Sequence, residues 1–352
     1  MGRAEGAALQ LLRDVPLAPR TTLVLGGCAR LCVEASTESD IVEACDYARE
    51  NDLRLWILGG GSNVVIPDTG LDGLVLCVSS KGLEFSEHPQ GVRLRASGGE
   101  RWDDVVRSSV ENELAGIECL SGIPGCVGAT PIQNVGAYGQ EVAETIESVR
   151  AYDRVERRFV ELSREECHFA YRDSRFKSEE PGRYVVSEVV FVLSRSRSNK
   201  PAYPELARAL SAIGAAPTLT DVRETVLHLR RQKSMLAEPG DPNARSCGSF
   251  FLNPVVSSAE ADRVERQLGV NLMPRYPQPD GRVKLSAAWL IERAGWDKGT
   301  RRGNVGISTK HALALVCHDG ATSAELLAFS EEVRRQVAAR TGVTLTPEPQ
   351  FL

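Results

Sequence analysis

The sequence predicts an α+β protein built from more than one domain. The chain has 352 residues, more than a single hydrophobic core usually accommodates, so two or three domains are expected. Apolar segments with strand spacing and with helix spacing both occur, but they do not alternate regularly as in a purely parallel α/β fold. The elements fall into three successive groups, which predict three subdomains.

The first predicted subdomain covers residues 1–80. A strand at 31–35 is followed by Thr37 and Asp40, a pair typical of a capped helix start. The strands that follow are mostly apolar and lie at 53–58, 64–66 and 74–78. Together these segments predict a compact β-α-β unit at the start of the chain.

The second predicted subdomain covers residues 81–220. It contains one helix at 101–112 and a long glycine-bearing loop at 121–139. Its strands are shorter and less regularly spaced, at 92–96, 149–153 and 184–193. This change of pattern predicts an α+β arrangement and places a boundary near residue 80.

The third predicted subdomain, 221–352, is rich in helices. A helix at 220–234 leads into a polar segment at 241–246, which is typical of a hinge or mobile loop. The later elements are helices at 258–268, 286–294 and 323–340 and a buried strand at 312–317. In the last helix, apolar residues at three- and four-residue spacing predict one buried stripe, and Gly342 is placed as its left-handed cap.

Composition and charge exclude several classes of function. The net charge is −5 and the chain is 42% hydrophobic and 25% charged, so a nucleic-acid partner is not expected. The sequence lacks a secretion signal and an apolar run near the roughly 20 residues of a membrane span. Nine cysteines without paired spacing predict reduced thiols and no metal site. We expect a cytoplasmic monomer without a membrane partner.

Two glycine-rich segments are candidates for binding a cofactor. The first is Gly59-Gly60-Gly61-Ser62-Asn63, where exposed backbone N–H groups could surround a phosphate, although a tight β-turn explains it equally well. The chain continues as strand and not as helix, which excludes the usual dinucleotide-binding fingerprint.

The second glycine-rich segment, 121–139, carries five glycines and two prolines. Because glycine costs conformational entropy on folding, this density favours close approach of the backbone to a large ligand over a simple connector. Two such loops predict one extended ligand, and FAD, with its diphosphate and ring system, fits. The candidate contacts in this loop are Gly125, Cys126, Val127, Gly128, Gln133, Asn134, Gly136, Ala137 and Tyr138.

Three residues are candidates for chemistry, each with a structural alternative. Arg172 stands beside Asp173 and could bind a carboxylate, or the two could form a surface ion pair. Ser249 is enclosed by a glycine and two phenylalanines and could donate a proton, or serve as a buried structural residue. Glu348 lies between two prolines near the chain end and could assist acid-base chemistry, or belong to a solvated tail.

Taken together, these segments resemble the UDP-N-acetylenolpyruvoylglucosamine reductase (UDP-N-acetylmuramate dehydrogenase) family of bacterial cell-wall precursor synthesis. The most specific matches are 123–128, 133–139, 171–174 and 248–254, in the family's order. The resemblance implies a vanillyl-alcohol-oxidase-type fold, in which two subdomains hold noncovalent FAD and a third α/β subdomain binds substrate.

The resemblance also implies the roles of individual residues. Arg172, Ser249 and Glu348 form the implied catalytic set. NADPH is the implied hydride donor, and the enolpyruvyl ether of the UDP-sugar is the acceptor. Tyr203 and Lys233 are implied contacts of the substrate diphosphate, although a half-buried tyrosine before a helix and a solvated lysine explain them equally well. Tyr203 and the intact run 171–177 place the chain in the longer-loop branch of the family. Asn253 is a further implied substrate contact. Leu252 stands where a lysine is frequent.

Two other functions are consistent with parts of this pattern. An oxidase of the same flavin superfamily would use oxygen, but many such oxidases bind flavin covalently through His or Cys. Neither glycine loop contains His, and Cys126 is the only cysteine in the two loops. A non-catalytic nucleotide-binding protein would not need the three reactive residues, so their presence argues against it.

Overall fold

A computed structural model describes residues 9–196, 203–213 and 217–352. Within those residues the strands are, in chain order, β1 (Leu12–Pro16), β2 (Cys28–Ala35), β3 (Leu55–Leu58), β4 (Val64–Val65), β5 (Leu71–Val78), β6 (Leu83–His88), β7 (Gly91–Ser97), β8 (Gly136–Ala137), β9 (Gln140–Glu141), β10 (Ile146–Asp153), β11 (Arg158–Ser163), β12 (Tyr184–Leu193), β13 (Val255–Val256), β14 (Arg275–Pro277), β15 (Val283–Leu285), β16 (Arg301–Arg302), β17 (Val305–Ile307), β18 (Leu315–Cys317) and β19 (Gln350–Phe351).

The α-helices within the same residues are α1 (Glu38–Glu50), α2 (Trp102–Glu111), α3 (Pro204–Ser211), α4 (Leu219–Gln232), α5 (Ser258–Leu268), α6 (Ala287–Arg293) and α7 (Ser323–Thr341). The mixture of helices with parallel and antiparallel strands confirms the predicted α+β class. Not one helix in these ranges is both long enough and apolar enough to cross a membrane.

The chain forms two compact units, each made from separate stretches of sequence. The first unit comprises Met1–Val15, Cys28–Gly61 and Leu71–Arg231, and the second comprises Pro16–Gly27, Ser62–Gly70 and Gln232–Leu352. The strand at 64–66, predicted next to the strand at 53–58, therefore belongs to the second unit. The division into three subdomains stays a prediction.

The first unit contains a four-stranded sheet, counted over the described residues, in the order β1-β2-β5-β3. Strand β5 pairs in parallel with β2 and β3, and α1 packs against β2 and β5. Helix α1 begins with the predicted capping box: the Thr37 hydroxyl accepts the Asp40 N–H, and the Asp40 carboxylate accepts the Thr37 N–H. The predicted β-α-β unit is confirmed except for the strand at 64–66, which pairs with β19 in the second unit.

The second sheet of this unit is antiparallel, with the order β11-β10-β12-β7-β6 among the described strands. Helix α2 contributes Trp102, Val105 and Val106 to a buried core with Leu94 and Phe191. A smaller core joins α3 to α4. The glycine-bearing loop at 121–139 lies between α2 and β10 in the chain.

The second unit is organised around α7. The predicted apolar stripe of Leu326, Phe329, Val333 and Val337 is buried, and Gly342 ends the helix in the left-handed conformation with a φ of 71°. Helix α7 packs against α5, α6, β17 and β18. Both predictions for this helix are confirmed.

Short segments complete the second unit. The C-terminal strand β19 pairs in parallel with β4. The N–H groups of Ser323 and Ala324, at the start of α7, donate to the Asp68 carboxylate. An acceptor at this position satisfies N–H groups that have no partner within the helix. The segment 62–70 is therefore held by both backbone pairing and a helix cap.

Candidate active site

The two glycine loops meet within the first unit. A Cβ atom added to Gly60 would lie 2.5 Å from the Cα of Gly125, and one added to Gly59 would lie 3.1 Å from the sulfur of Cys126. Gly59 and Gly60 are themselves exposed. Two loops that lie far apart in the sequence thus form one surface of exposed backbone.

Cys126 lies at the junction of these loops. Burial raises the pKa of its thiol, and the nearby backbone N–H groups of Ala129, Gly60 and Gly128 act in the opposite direction. Exposed glycine backbone where two loops meet fits a ligand that carries a diphosphate. FAD is such a ligand, and Gly59, Gly60, Gly61, Gly125 and Cys126 stay its predicted contacts.

Other glycines of the second loop have reasons within the fold. Gly122, Gly125 and Gly139 have φ values of 72°, 120° and 86°, which L-residues rarely adopt. The N–H of Gly128 donates to the carbonyl of Gly98, and the N–H of Val127 donates to that of Glu100. Val127 itself is fully buried, so its side chain belongs to the core.

An ion pair fixes the start of the second loop. The Asp103 carboxylate accepts the Gly122 N–H at 2.6 Å and two N–H groups of Arg223 on α4 at 2.7 and 2.8 Å. Burial acts to raise the pKa of Asp103, but the hydrogen bonds from Arg223 and Gly122 hold it below its usual value. The Trp102 N–H donates to the carbonyl of Gly125, so α2 anchors both ends of 122–125.

Asn63 and Glu348 are in contact within the second unit. The Asn63 side chain donates to the backbone carbonyl of Glu348 at 3.3 Å, and the Gln350 N–H donates to the carbonyl of Asn63. Ser62, the neighbouring predicted cofactor contact, is half-buried. The alternative of a solvated tail is therefore wrong, because the C-terminal segment is paired with 63–65.

Ser249 and Glu348 lie on adjacent paired segments of the same unit. Phe251 forms an antiparallel bridge with Pro347, and the Glu348 N–H donates to the carbonyl of Phe250 at 2.9 Å. Phe250 and Phe251 are buried, whereas Ser249 is half-buried. The two rings that follow this serine therefore belong to the core, while the serine itself is not enclosed.

The thiol of Cys247 lies near Glu348. Burial and the nearby Glu348 carboxylate together raise its pKa. The Glu348 side chain is therefore close to the Cys247–Ser249 segment, and the pairing of the two segments brings two predicted catalytic residues together.

Arg172 occupies a constrained position in the first unit. Its φ is 55°, a conformation that costs a non-glycine residue roughly 1–2 kcal/mol. Its guanidinium donates to the backbone carbonyls of Gly136 and Asn134 and lies 5.4 Å from the centre of the Tyr171 ring. Strain at a charged residue of this kind is typical of functional sites.

Tyr138 and Tyr203 contact each other in the first unit. Their rings meet edge to face with centres 5.4 Å apart, and burial, with smaller effects of neighbouring charges, raises the pKa of Tyr138 to about 12. Tyr203 precedes α3 and is 41% exposed. A predicted cofactor contact and a predicted substrate contact are thus neighbours.

Arg230 of α4 lies near Tyr138, and the sequence did not predict a role for it. The residue is 8% exposed, and burial lowers its pKa. It follows Val222 and Val226 at intervals of four residues, so it stands within the apolar stripe of the helix. This spacing could have indicated from the sequence that the arginine is buried.

The remaining predicted residues have simpler surroundings. Lys233, Gln133 and Ala137 are half-buried. The side-chain oxygen of Asn253 accepts the Ala287 N–H at the start of α6, a role in the fold that the sequence did not predict. Arg172 belongs to the first unit and Ser249 and Glu348 to the second, so their joint action is part of the proposal below.

Comparison with known proteins identifies the family. UDP-N-acetylenolpyruvoylglucosamine reductase from Thermobifida fusca is 52% identical over 349 residues, which cover 97% of each chain. The enzyme of that name from Pseudomonas aeruginosa is 41% identical, with 98% of this chain and 99% of the relative covered. The chain belongs to the UDP-N-acetylenolpyruvoylglucosamine reductase family.

Matches to domain families and to a solved structure agree with this assignment. Residues 29–157 match the family described as FAD binding domain, and residues 241–352 match the C-terminal domain of the reductase. The crystal structure of the reductase from Thermus caldophilus matches with a TM-score of 0.64 and 22% identity, covering 98% of each chain. The predicted resemblance is confirmed, and the latter match shows a shared fold.

Proposed function

We propose that the protein reduces the enolpyruvyl ether of UDP-N-acetylenolpyruvoylglucosamine with NADPH, through FAD, and so forms UDP-N-acetylmuramate for peptidoglycan synthesis. The observation that carries this proposal is 52% identity over 97% of both chains to a reductase of that name. The contact between the two glycine loops supports FAD as the cofactor. Nine free thiols, most of them buried, are consistent with action in the reducing cytoplasm.

FAD, when bound, accepts a hydride from NADPH and delivers it to the methylene carbon of the substrate. Gly59, Gly60, Gly61 and the segment 125–128 hold its diphosphate in this proposal, with Ser62 and Asn63 continuing the contact. Tyr203 and Lys233 bind the diphosphate of the substrate, and Asn253 is a further substrate contact.

Arg172 binds the carboxylate of the enolpyruvyl group. Hydride addition to the methylene carbon places negative charge on the adjacent carbon and on that carboxylate. A guanidinium already held in position stabilises this charge as it develops. Glu348 supports the geometry or shares a proton with the developing charge.

Ser249 delivers a proton to the carbon next to the carboxylate. A serine hydroxyl is a weak acid, so it can act only against a strongly basic carbon and when hydrogen bonds hold it in place. Its position directly before the buried Phe250 and Phe251, on a segment paired with that of Glu348, supports this role. Arg172 and Ser249 must reach the same substrate molecule for the mechanism to operate.

Purified protein provides the first test. A yellow, acid-extractable flavin that NADPH bleaches without oxygen, and that the UDP-enolpyruvyl sugar reoxidises, is the expected result. Rapid reoxidation by dioxygen with no response to the sugar would indicate an oxidase. Absence of bound flavin after supplementation with FAD would indicate a non-catalytic protein.

Substitution of the proton donor provides the second test. Ser249→Ala should slow reoxidation by the sugar on the order of 100- to 10,000-fold, whereas reduction by NADPH should stay unchanged. Ser257→Ala, which removes the cap of α5 in the same unit, serves as the control and should leave both steps intact. Equal losses in the two half-reactions would contradict the role of Ser249.

A further inference from the structure

We infer that Asn134 is a positioning residue for Arg172 and not a flavin ligand. The inference rests on the proposed function, since it concerns the residue assigned to the substrate carboxylate. Asn134 is 1% exposed and has a φ of 47°. A buried side chain in this backbone conformation indicates a specific local requirement.

The Asn134 side chain joins three backbone segments. Its amide nitrogen donates to the Glu141 carboxylate at 2.8 Å and to the carbonyl of Ala170 at 3.0 Å. Its amide oxygen accepts the Ala143 N–H at 3.1 Å. Both ends of the amide are therefore used within the fold, which leaves little capacity for a cofactor.

These contacts connect the two elements that hold Arg172. Glu141 belongs to the β8-β9 hairpin, in which it pairs with Gly136. Ala170 forms reciprocal backbone hydrogen bonds with Asp173, and this closed turn contains Arg172. Asn134 thus joins the hairpin to the turn on either side of the guanidinium.

The guanidinium is held against the same hairpin. It donates to the carbonyls of Gly136 and Asn134 itself. A Cβ atom on Gly136 would lie 3.0 Å from Arg172 Nη1 and 2.8 Å from the carbonyl oxygen of Gln140. Gly136 is therefore required by the close approach of the hairpin backbone at Gln140, and it lets the guanidinium of Arg172 lie against the hairpin.

Removal of the Asn134 amide should leave Arg172 charged but poorly oriented. Misplacement of a catalytic group by about 1 Å can cost on the order of 100-fold in rate. The loss should appear only in the step that uses the substrate carboxylate. A flavin ligand, by contrast, should affect cofactor affinity and both half-reactions.

The experiment compares Asn134→Gly and Asn134→Ala, because glycine keeps the positive φ without strain. For Asn134→Gly, reoxidation by the UDP-enolpyruvyl sugar should slow about 100-fold, while FAD affinity and reduction by NADPH stay within about twofold of the parent. Binding to the oxidised enzyme provides a readout besides activity. The variant should bind the UDP-enolpyruvyl sugar more weakly, but the UDP-sugar lacking the enolpyruvyl group equally well.

A double-substitution cycle with Arg172→Ala separates positioning from general destabilisation. In the Arg172→Ala background, Asn134→Gly should change reoxidation by less than about twofold. Thr37→Ala, which removes the cap of α1, is the stability control. Should Asn134→Gly not accumulate as folded protein, Glu141→Ala removes one of its partners and is judged by the same criteria.

Three results would overturn the inference: normal reoxidation in Asn134→Gly, equal losses in both half-reactions, or an undiminished effect in the Arg172→Ala background. Normal reoxidation in Arg172→Ala alone would instead refute the role of Arg172 in the proposed function. The two failures are therefore distinguishable.

Discussion

Substitution of Gly60 by alanine tests the contact between the glycine loops. The added Cβ would lie 2.5 Å from Gly125 Cα and 2.9 Å from its carbonyl carbon, whereas ordinary carbon–carbon contacts are about 3.5 Å or longer. The shortfall is about 1 Å, and the opposing atoms are backbone. Gly60 does not have a positive φ, so the effect is steric and not conformational.

The expected magnitude follows from the cost of overpacking. Such insertions typically cost roughly 1–3 kcal/mol, which the protein can relieve by separating the loops. If FAD binds the closed loops, the same free energy weakens binding by about 5- to 150-fold, since 1.4 kcal/mol corresponds to a factor of ten. In the flavin-free protein, separation of the loops relieves the overpacking, so the free energy of unfolding should fall by less than this amount.

Gly59→Ala provides the matched control. Its Cβ would meet Cys126 Sγ at 3.1 Å and Ala129 Cβ at 3.2 Å, and these atoms need to move by only a few tenths of an ångström. We expect FAD affinity to fall less than about fivefold, a cost below about 1 kcal/mol. Fluorescence titration of flavin-free protein with FAD measures both affinities. Equal affinity in Gly60→Ala and the parent protein would refute the reasoning.

Three further predictions concern stability and reactivity. In urea titrations, Asp103→Asn should lower the free energy of unfolding by about 1.5–3 kcal/mol at pH 7. The folded-state pKa of Asp103 is below its usual value near 3.9. The difference from the parent should therefore persist above about pH 5 and shrink below pH 4. Asp68→Ala should cost about 1 kcal/mol in the same assay, because two N–H groups of α7 lose their acceptor, and no change would contradict that cap. Exposed Cys28 should react rapidly with a thiol reagent in the native protein. The thiol of Cys317, with a pKa raised by burial to about 12, should react only after unfolding. Cys28→Ser should abolish the rapid reaction of the native protein.

Local sequence signals predicted many elements closely. The strand predicted at 184–193 and the helix at 258–268 have the observed bounds, and the cap of α1 is the one that Thr37 and Asp40 predicted. These features depend on residues near one another in the chain. Periodicity and capping therefore suffice to locate them.

Other elements depend on tertiary pairing and were not predicted. Strand β6 is largely exposed and has only two apolar residues, Leu83 and Phe85, so its pairing with β7 determines it. The strand predicted at 312–317 is shorter, because only Leu315–Cys317 pairs with β17. Strands β4 and β19 each have two residues, and their pairing spans almost the whole chain.

The sequence predicted which residues belong to the site better than it predicted the structural role of each one. Glycine density indicated a ligand, yet Gly122 and Gly139 are explained by positive φ and Gly136 by the close approach of the Gln140 carbonyl. The structural role of Asn134 left no periodic signal. Its partners Glu141 and Ala170 lie 7 and 36 residues away, so only the folded chain shows the connection.

The interrupted path of the chain has a practical consequence for protein engineering. The second unit needs Pro16–Gly27 and Ser62–Gly70, which are encoded far upstream of its main portion from Gln232 onwards. Expression of 232–352 alone would lack the strand that β19 pairs with and the carboxylate that caps α7. Chimeras between relatives should therefore exchange all three segments together, and a single recombination point near residue 231 should yield insoluble or proteolysed products.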